Sequence, residues 1–92
     1  MITTVFRAPL AITFATVEQE RKRFLAYCRD FHDEFVFVDL EKVEQCDSAG
    51  LAFLIEAKRI SKEQGRLVKI INMPQETRAL AQFYGISALL GF

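Results

Sequence analysis

A carboxylate and a hydroxyl stand side by side at Asp47-Ser48, within "EQCDSAGLAFLIE" from Glu44 to Glu56. Two kinds of chemistry suit such a pair. Asp47 can start a helix, its carboxylate accepting a hydrogen bond from the N–H two or three residues on. Ser48 can be read or modified by a partner, since phosphorylation would add about −1.5 to −2 charges to its hydroxyl. Other chemistry has less support. The single histidine, His32, sits in "RDFHDEF", and no Ser-His-Asp set is spelled out in the chain. There is no phosphate-cradling glycine loop and no CxxC. Glu41, Glu44 and Asp47 are scattered through a loop and suit a solvated face better than a metal site. The charge of Asp47 disfavours a thiolate at Cys46. The expectation is therefore a binding protein, not an enzyme, with no cofactor and no metal.

The elements that must position this pair come from one domain spanning residues 1–92, since single domains run about 50–250 residues. Hydrophobic residues make up 51% of the chain and charged residues 26%, enough apolar surface to build a core. Twelve basic residues balance twelve acidic ones. That balance argues against a nucleic-acid partner, which calls for a basic surface to displace counterions from phosphates. Cys28 and Cys46 are too few for a disulfide framework and read as reduced thiols. "MITTVFRAPL" lacks the pattern of a signal sequence, and no apolar run approaches the roughly 20 residues of a membrane helix. A cytoplasmic protein is expected, reaching a membrane only through another chain.

Along the chain, "ITTVF" (Ile2 to Phe6) and "LAITF" (Leu10 to Phe14) read as short strands around Pro9, and a hairpin is the natural expectation. Thr16 is a candidate N-cap for "VEQERKRFLAYCRDFHDEF", where Val17, Phe24, Tyr27, Cys28 and Phe31 recur at helical spacing. "FVFVDL" (Phe35 to Leu40) is almost continuously apolar and suits a central strand covered on both faces. A second helix begins at Ser48 and ends at Gly65. "RLVKII" (Arg66 to Ile71) is a strand, and "QETRALAQFY" is a third helix ended by Gly85, with Tyr84 packing it. The order ββαβαβα implies an α/β fold, a four-stranded mixed sheet flanked by helices.

On the second helix, Gly50, Phe53, Leu54, Ala57 and Ile60 share the face that belongs on the sheet. The opposite face carries Ser48, Ala52, Ile55 and Arg59, with Lys62 and Glu63 at its flanks. A small hydroxyl, an alanine, an isoleucine and an arginine in line form a candidate docking stripe.

"VDLEKVEQCDSAGLAFLIEAKRISKEQGRLVKIINMPQETRALAQFYGI" resembles the core of a STAS domain, the family named for sulfate transporters and anti-sigma factor antagonists. The resemblance covers most of the chain after about Leu10. Its strongest part is a strand, then Asp-Ser-small-Gly-Leu, then a helix. It implies a mixed sheet flanked by helices, in agreement with the order above. It also implies one of two functions. In one branch, a standalone STAS protein is the small cytoplasmic subunit of an Mla-type phospholipid ABC transporter, which maintains outer-membrane lipid asymmetry; it binds the ATPase subunit and supports its assembly and activity. In the other, an anti-sigma factor antagonist is switched when a partner kinase phosphorylates the residue corresponding to Ser48. "DSAG" differs from the common forms of both branches, Asp-Ser-Ser-Gly and Asp-Thr-Gly-Gly. "TRALAQFYGISALLGF" looks more like the transporter subunit. The expectation is therefore a non-catalytic transporter subunit at the inner membrane, with an ABC ATPase as partner. The phospho-switch, with an anti-sigma factor kinase as partner, is the alternative.

Overall fold

The computed structural model describes residues 5–92 and has the element order β1 (Val5–Arg7), β2 (Ala11–Ile12), α1 (Val17–Asp30), β3 (Phe35–Asp39), β4 (Gln45–Cys46), α2 (Ser48–Glu63), β5 (Leu67–Ile71), α3 (Gln75–Phe83) and α4 (Ser87–Leu90). The α/β class holds, but the four-stranded mixed sheet does not form. The described strands make two small sheets, β1-β3-β5 and β2-β4, and every pair is parallel. The short strand β4 and the final turn of helix α4 were not legible in the sequence. Ile2 to Thr4 of the expected first strand lie outside the described residues.

The hairpin expected around Pro9 is replaced by one extended path with a break. Val5 to Arg7 run beside Phe37 to Asp39, and the Ala8 N–H donates to the Asp39 carbonyl at 3.0 Å. Pro9 has no N–H to continue the ladder. Pairing resumes when the Leu10 carbonyl accepts from the Glu44 and Gln45 N–H groups, followed by Ala11 beside Gln45. The partner path carries two more residues between the two pairings, and this offset splits the sheet. The strands are parallel because α1 carries the chain back across before β3 begins.

Alternation along β3 decides which face is covered. Val36 and Val38 are fully buried and join the core with Phe6, Phe24, Leu51, Phe53 and Leu54. The rings of Phe6 and Phe24 meet edge-on at 5.2 Å, and those of Phe24 and Phe53 at 6.0 Å. Among the described residues, the other face is covered only towards its end, where Asp39 is buried. Phe35 is exposed and Phe37 half-buried, and neither joins the core. An unbroken apolar run therefore does not mark a strand covered on both sides here, because the core forms on one face only.

Helix ends follow local chemistry. Helix α1 stops at Asp30, leaving Phe31 exposed. Thr16 stands at its N-cap position but makes no side-chain cap; its hydroxyl donates to the Ala11 carbonyl at 2.9 Å and so closes the β2–α1 turn. Gly65 and Gly85 take positive φ, +72° and +70°, just past the ends of α2 and α3. That conformation favours glycine. Arg66 is buried and donates from Nε to the Asp33 carbonyl at 2.8 Å and from Nη1 to the Cys28 carbonyl at 3.2 Å, tying the start of β5 to the end of α1.

Candidate functional site at the start of α2

Asp47 has an extended backbone, and its Oδ1 accepts from the Gly50 N–H at 3.1 Å, the geometry of a helix N-cap. Its second oxygen does something that spacing could not show. Oδ2 accepts from the Phe14 N–H at 2.9 Å, so one carboxylate joins the head of α2 to the turn after β2. The Phe14 bond leads the causes that hold the Asp47 carboxyl below its ordinary value, and the Gly50 bond adds to it.

Gly50 explains the close fit beneath this cap. A Cβ at that position would lie 2.0 Å from the Ile12 carbonyl oxygen and 2.8 Å from the Cys46 sulfur. Only a residue without a side chain lets the first turn of α2 rest against β2 and β4. Burial drives the Cys46 thiol up to about 11, with the neighbouring Asp47 charge adding to the rise and a hydrogen bond with Thr77 opposing it. The main cause is thus burial and not the aspartate.

The inner face of α2 buries Gly50, Leu51, Phe53, Leu54, Ala57, Ile60 and Ser61. On the opposite side Ser48, Ala52 and Arg59 are exposed. Two features of this stripe differ from the sequence reading. Ile55 does not stand free: it is half-buried and packs on the edge of the core. Arg59 is already paired, bonding Glu56 and Glu63 at 2.6 Å each along the helix. Beside Ala52 a shallow cavity of about 300 Å³ opens between α1 and α2, lined by Val17, Arg21, Phe53 and Glu56 among others.

The structure adds a residue that the sequence reading placed only at a strand end. Phe14, held by its backbone to Asp47, leaves 85% of its surface exposed. Tyr84, expected to pack α3, is also exposed, and its ring meets the exposed ring of Phe83 edge-on at 5.5 Å. His32 lies exposed just beyond the end of α1 and lines a surface cavity with Arg29, Glu34 and Arg66, none of which takes part in the cap. Among the described residues, no cluster of three His, Cys, Asp or Glu is arranged to hold a metal, and no helix is long and apolar enough to cross a membrane.

Comparison with known proteins agrees with this architecture. The crystal structure of a sulfate transporter family protein from Wolinella succinogenes has a TM-score of 0.70 with this chain at 12% identity, covering 95% of this chain and 70% of that one. At that identity the likeness shows the fold. No curated protein matches the sequence significantly. A family model described as "Mlab, STAS domain" matches residues 11–91, a span that includes the Asp47 cap, the Gly50 contact and the whole of α2. This chain belongs to the MlaB-type STAS domain family.

Proposed function

We propose that this chain is the non-catalytic subunit that binds and supports the ATPase of an ABC-type phospholipid transporter, with the outer side of α2 as its docking surface. The observation that carries the reading is the exposed head of α2 in an MlaB-type STAS domain: a rigidly capped first turn presenting Ser48 and Ala52 beside the 85%-exposed Phe14. Small residues at Ser48 and Ala52 let a partner backbone approach closely. Phe14 supplies the apolar anchor, and aromatic anchors carry much of the energy of protein interfaces. Ile55 contributes the part of its surface that its own core leaves open. Arg59 stays paired to Glu56 and Glu63 and marks the rim, where charge tunes association more than affinity.

The same exposed Ser48 hydroxyl supports the second reading, an anti-sigma factor antagonist switched by a kinase. A phosphate at the first residue of α2 sits where the helix dipole favours negative charge, so the fold tolerates it while a tightly packed partner does not. One experiment separates the two. The tagged chain is used to capture partners from cytosol and from detergent-solubilised membranes, and the captured ATPase subunit is then titrated calorimetrically with Ser48→Glu and Ala52→Arg variants whose melting temperatures match the parent. We expect an ABC ATPase from the membrane fraction and weakened binding by both variants. Capture of a kinase together with phosphorylated Ser48 supports the second reading. Unchanged affinity for both variants removes this face from the interface.

A further inference from the structure

The sheet β1-β3-β5 ends at β5, and among the described residues one edge of that strand is unpaired. The Leu67 N–H donates to the Glu34 carbonyl and the Ile71 carbonyl accepts from the Leu40 N–H, so the odd-numbered residues of β5 spend their backbone groups on the β3 side. Alternation turns the N–H and C=O groups of Val68 and Ile70 toward the free edge. Two cavities lie along this edge and share Lys58 and Val68. The larger, about 450 Å³, has Ile55, Leu67, Val68 and Leu89 as its apolar part. The smaller, about 250 Å³, continues past Lys69 and Ile70 to the end of α4. No residue of β3 lines either one, which places both on the outer side of β5.

The charge of this groove is one-sided, although the whole chain is neutral. Lys58, Arg59, Lys62, Arg66 and Lys69 line the two cavities, and no described Asp or Glu does. Arg59 is matched by Glu56 and Glu63, and Arg66 is engaged with backbone carbonyls. Among the described residues, Lys58, Lys62 and Lys69 have no carboxylate within ion-pair distance.

We propose that the free edge of β5 is a second docking site, which takes an extended segment of a partner protein in which acidic and apolar residues alternate. The segment adds as a strand beside Val68 and Ile70. Its apolar side chains, on the α2 face, fill the space between Ile55 and Leu89 beside Lys58 and Lys62, and its carboxylates, on the opposite face, meet Lys69 within the positive field of the whole edge. Strand addition of this kind draws affinity from main-chain hydrogen bonds and specificity from the alternate side chains. A second copy of this chain fits poorly. In the antiparallel register that uses Val68 and Ile70 of both copies, Lys69 stands directly opposite the other Lys69, and like charges so placed repel. The groove shares Ile55 and Arg59 with the rim of the proposed ATPase surface, but its occupant follows from the groove's own backbone and charge.

The test uses the full chain, labelled with nitrogen-15, and a short capped peptide of alternating glutamate and valine. We expect saturable binding that weakens with added salt, with the amides of Val68 and Ile70 shifted in the spectrum and protected from hydrogen exchange. Lys69→Glu should weaken binding about tenfold or more, because a carboxylate in the segment then meets like charge. Lys62→Glu, on the α2 side of the edge, provides a milder variant that acts through the field alone, and melting temperatures confirm that the folds are kept. A peptide of alternating lysine and valine should not bind. Ser48→Glu, at the head of α2 and lining neither cavity, should leave peptide binding unchanged, so failure here and failure of the ATPase docking are distinguishable. The proposal is overturned by absent binding, by binding that ignores the lysine variants or leaves Val68 and Ile70 unshifted, by equal lysine-dependent binding to phosphatidylglycerol vesicles, or by concentration-dependent dimerisation through this edge.

Discussion

Replacing Gly50 with alanine sets two effects against each other, and the structure decides between them. Alanine is the better helix former, by about 1 kcal/mol in a helix interior. That gain is an upper bound here, because Gly50 lies in the first turn of α2. Against it stands a Cβ placed 2.0 Å from the Ile12 carbonyl oxygen, when ordinary contact begins near 3.4 Å. Relief needs a movement of more than an ångström, and the obstacle is backbone and not the end of a flexible side chain. Ile12 is fully buried, so β2 has no open space to retreat into. The pairing that would give way is β2 with β4, which holds by only two residue pairs. Overpacking of a close-packed site costs about 1–3 kcal/mol or more, and rigid backbone puts this case at the upper end. The net expectation is a loss of about 2 kcal/mol. At roughly 4–8 °C per kcal/mol for a domain of this size, the midpoint should fall by about 8–16 °C. Thermal melts followed by circular dichroism, paired with urea titrations, read both numbers. Ala52→Gly, on the exposed side of the same helix, calibrates the propensity term and should cost about 1 kcal/mol without a steric contribution. If Gly50→Ala melts at or above the parent, the close approach of α2 to β2 is not what the glycine serves.

Asp47→Ala should cost about 1 kcal/mol at neutral pH through loss of the cap. The folded-state carboxyl is held below its ordinary value, so its stabilisation is present above that value and is lost as pH falls through the lower folded value; the gap between variant and parent should therefore close in acid. An equal gap at pH 7 and in strong acid, or no gap at pH 7 together with abolished partner binding, would contradict the capping account. Val36→Asp places an unpaired charge at a site with no solvent exposure and should abolish cooperative folding; a soluble variant with a sharp melt would refute the placement of β3.

Features that depend on near neighbours in the chain were legible before any tertiary contact is considered. The start of α2 at Ser48 and the glycines that follow α2 and α3 are set by residues within one turn of where they act. The inner face of α2 was legible for a similar reason, since helical spacing places Phe53, Leu54, Ala57 and Ile60 together whatever they later pack against. Strand partners were not legible, because pairing joins residues about 30 positions apart and the alternatives differ only in contacts that local patterning does not encode. Thus Pro9 read as a hairpin turn, and only the tertiary structure made it a break in one parallel path. The same limit hid the second hydrogen bond of Asp47 to Phe14, the contact of Gly50 with Ile12, and the exposure of Phe35 on the outer face of β3. It also hid the lysines along β5: Lys58 and Lys62 lie on a helix and Lys69 on a strand, and they become one charged groove only when α2 comes to rest beside the sheet's open edge.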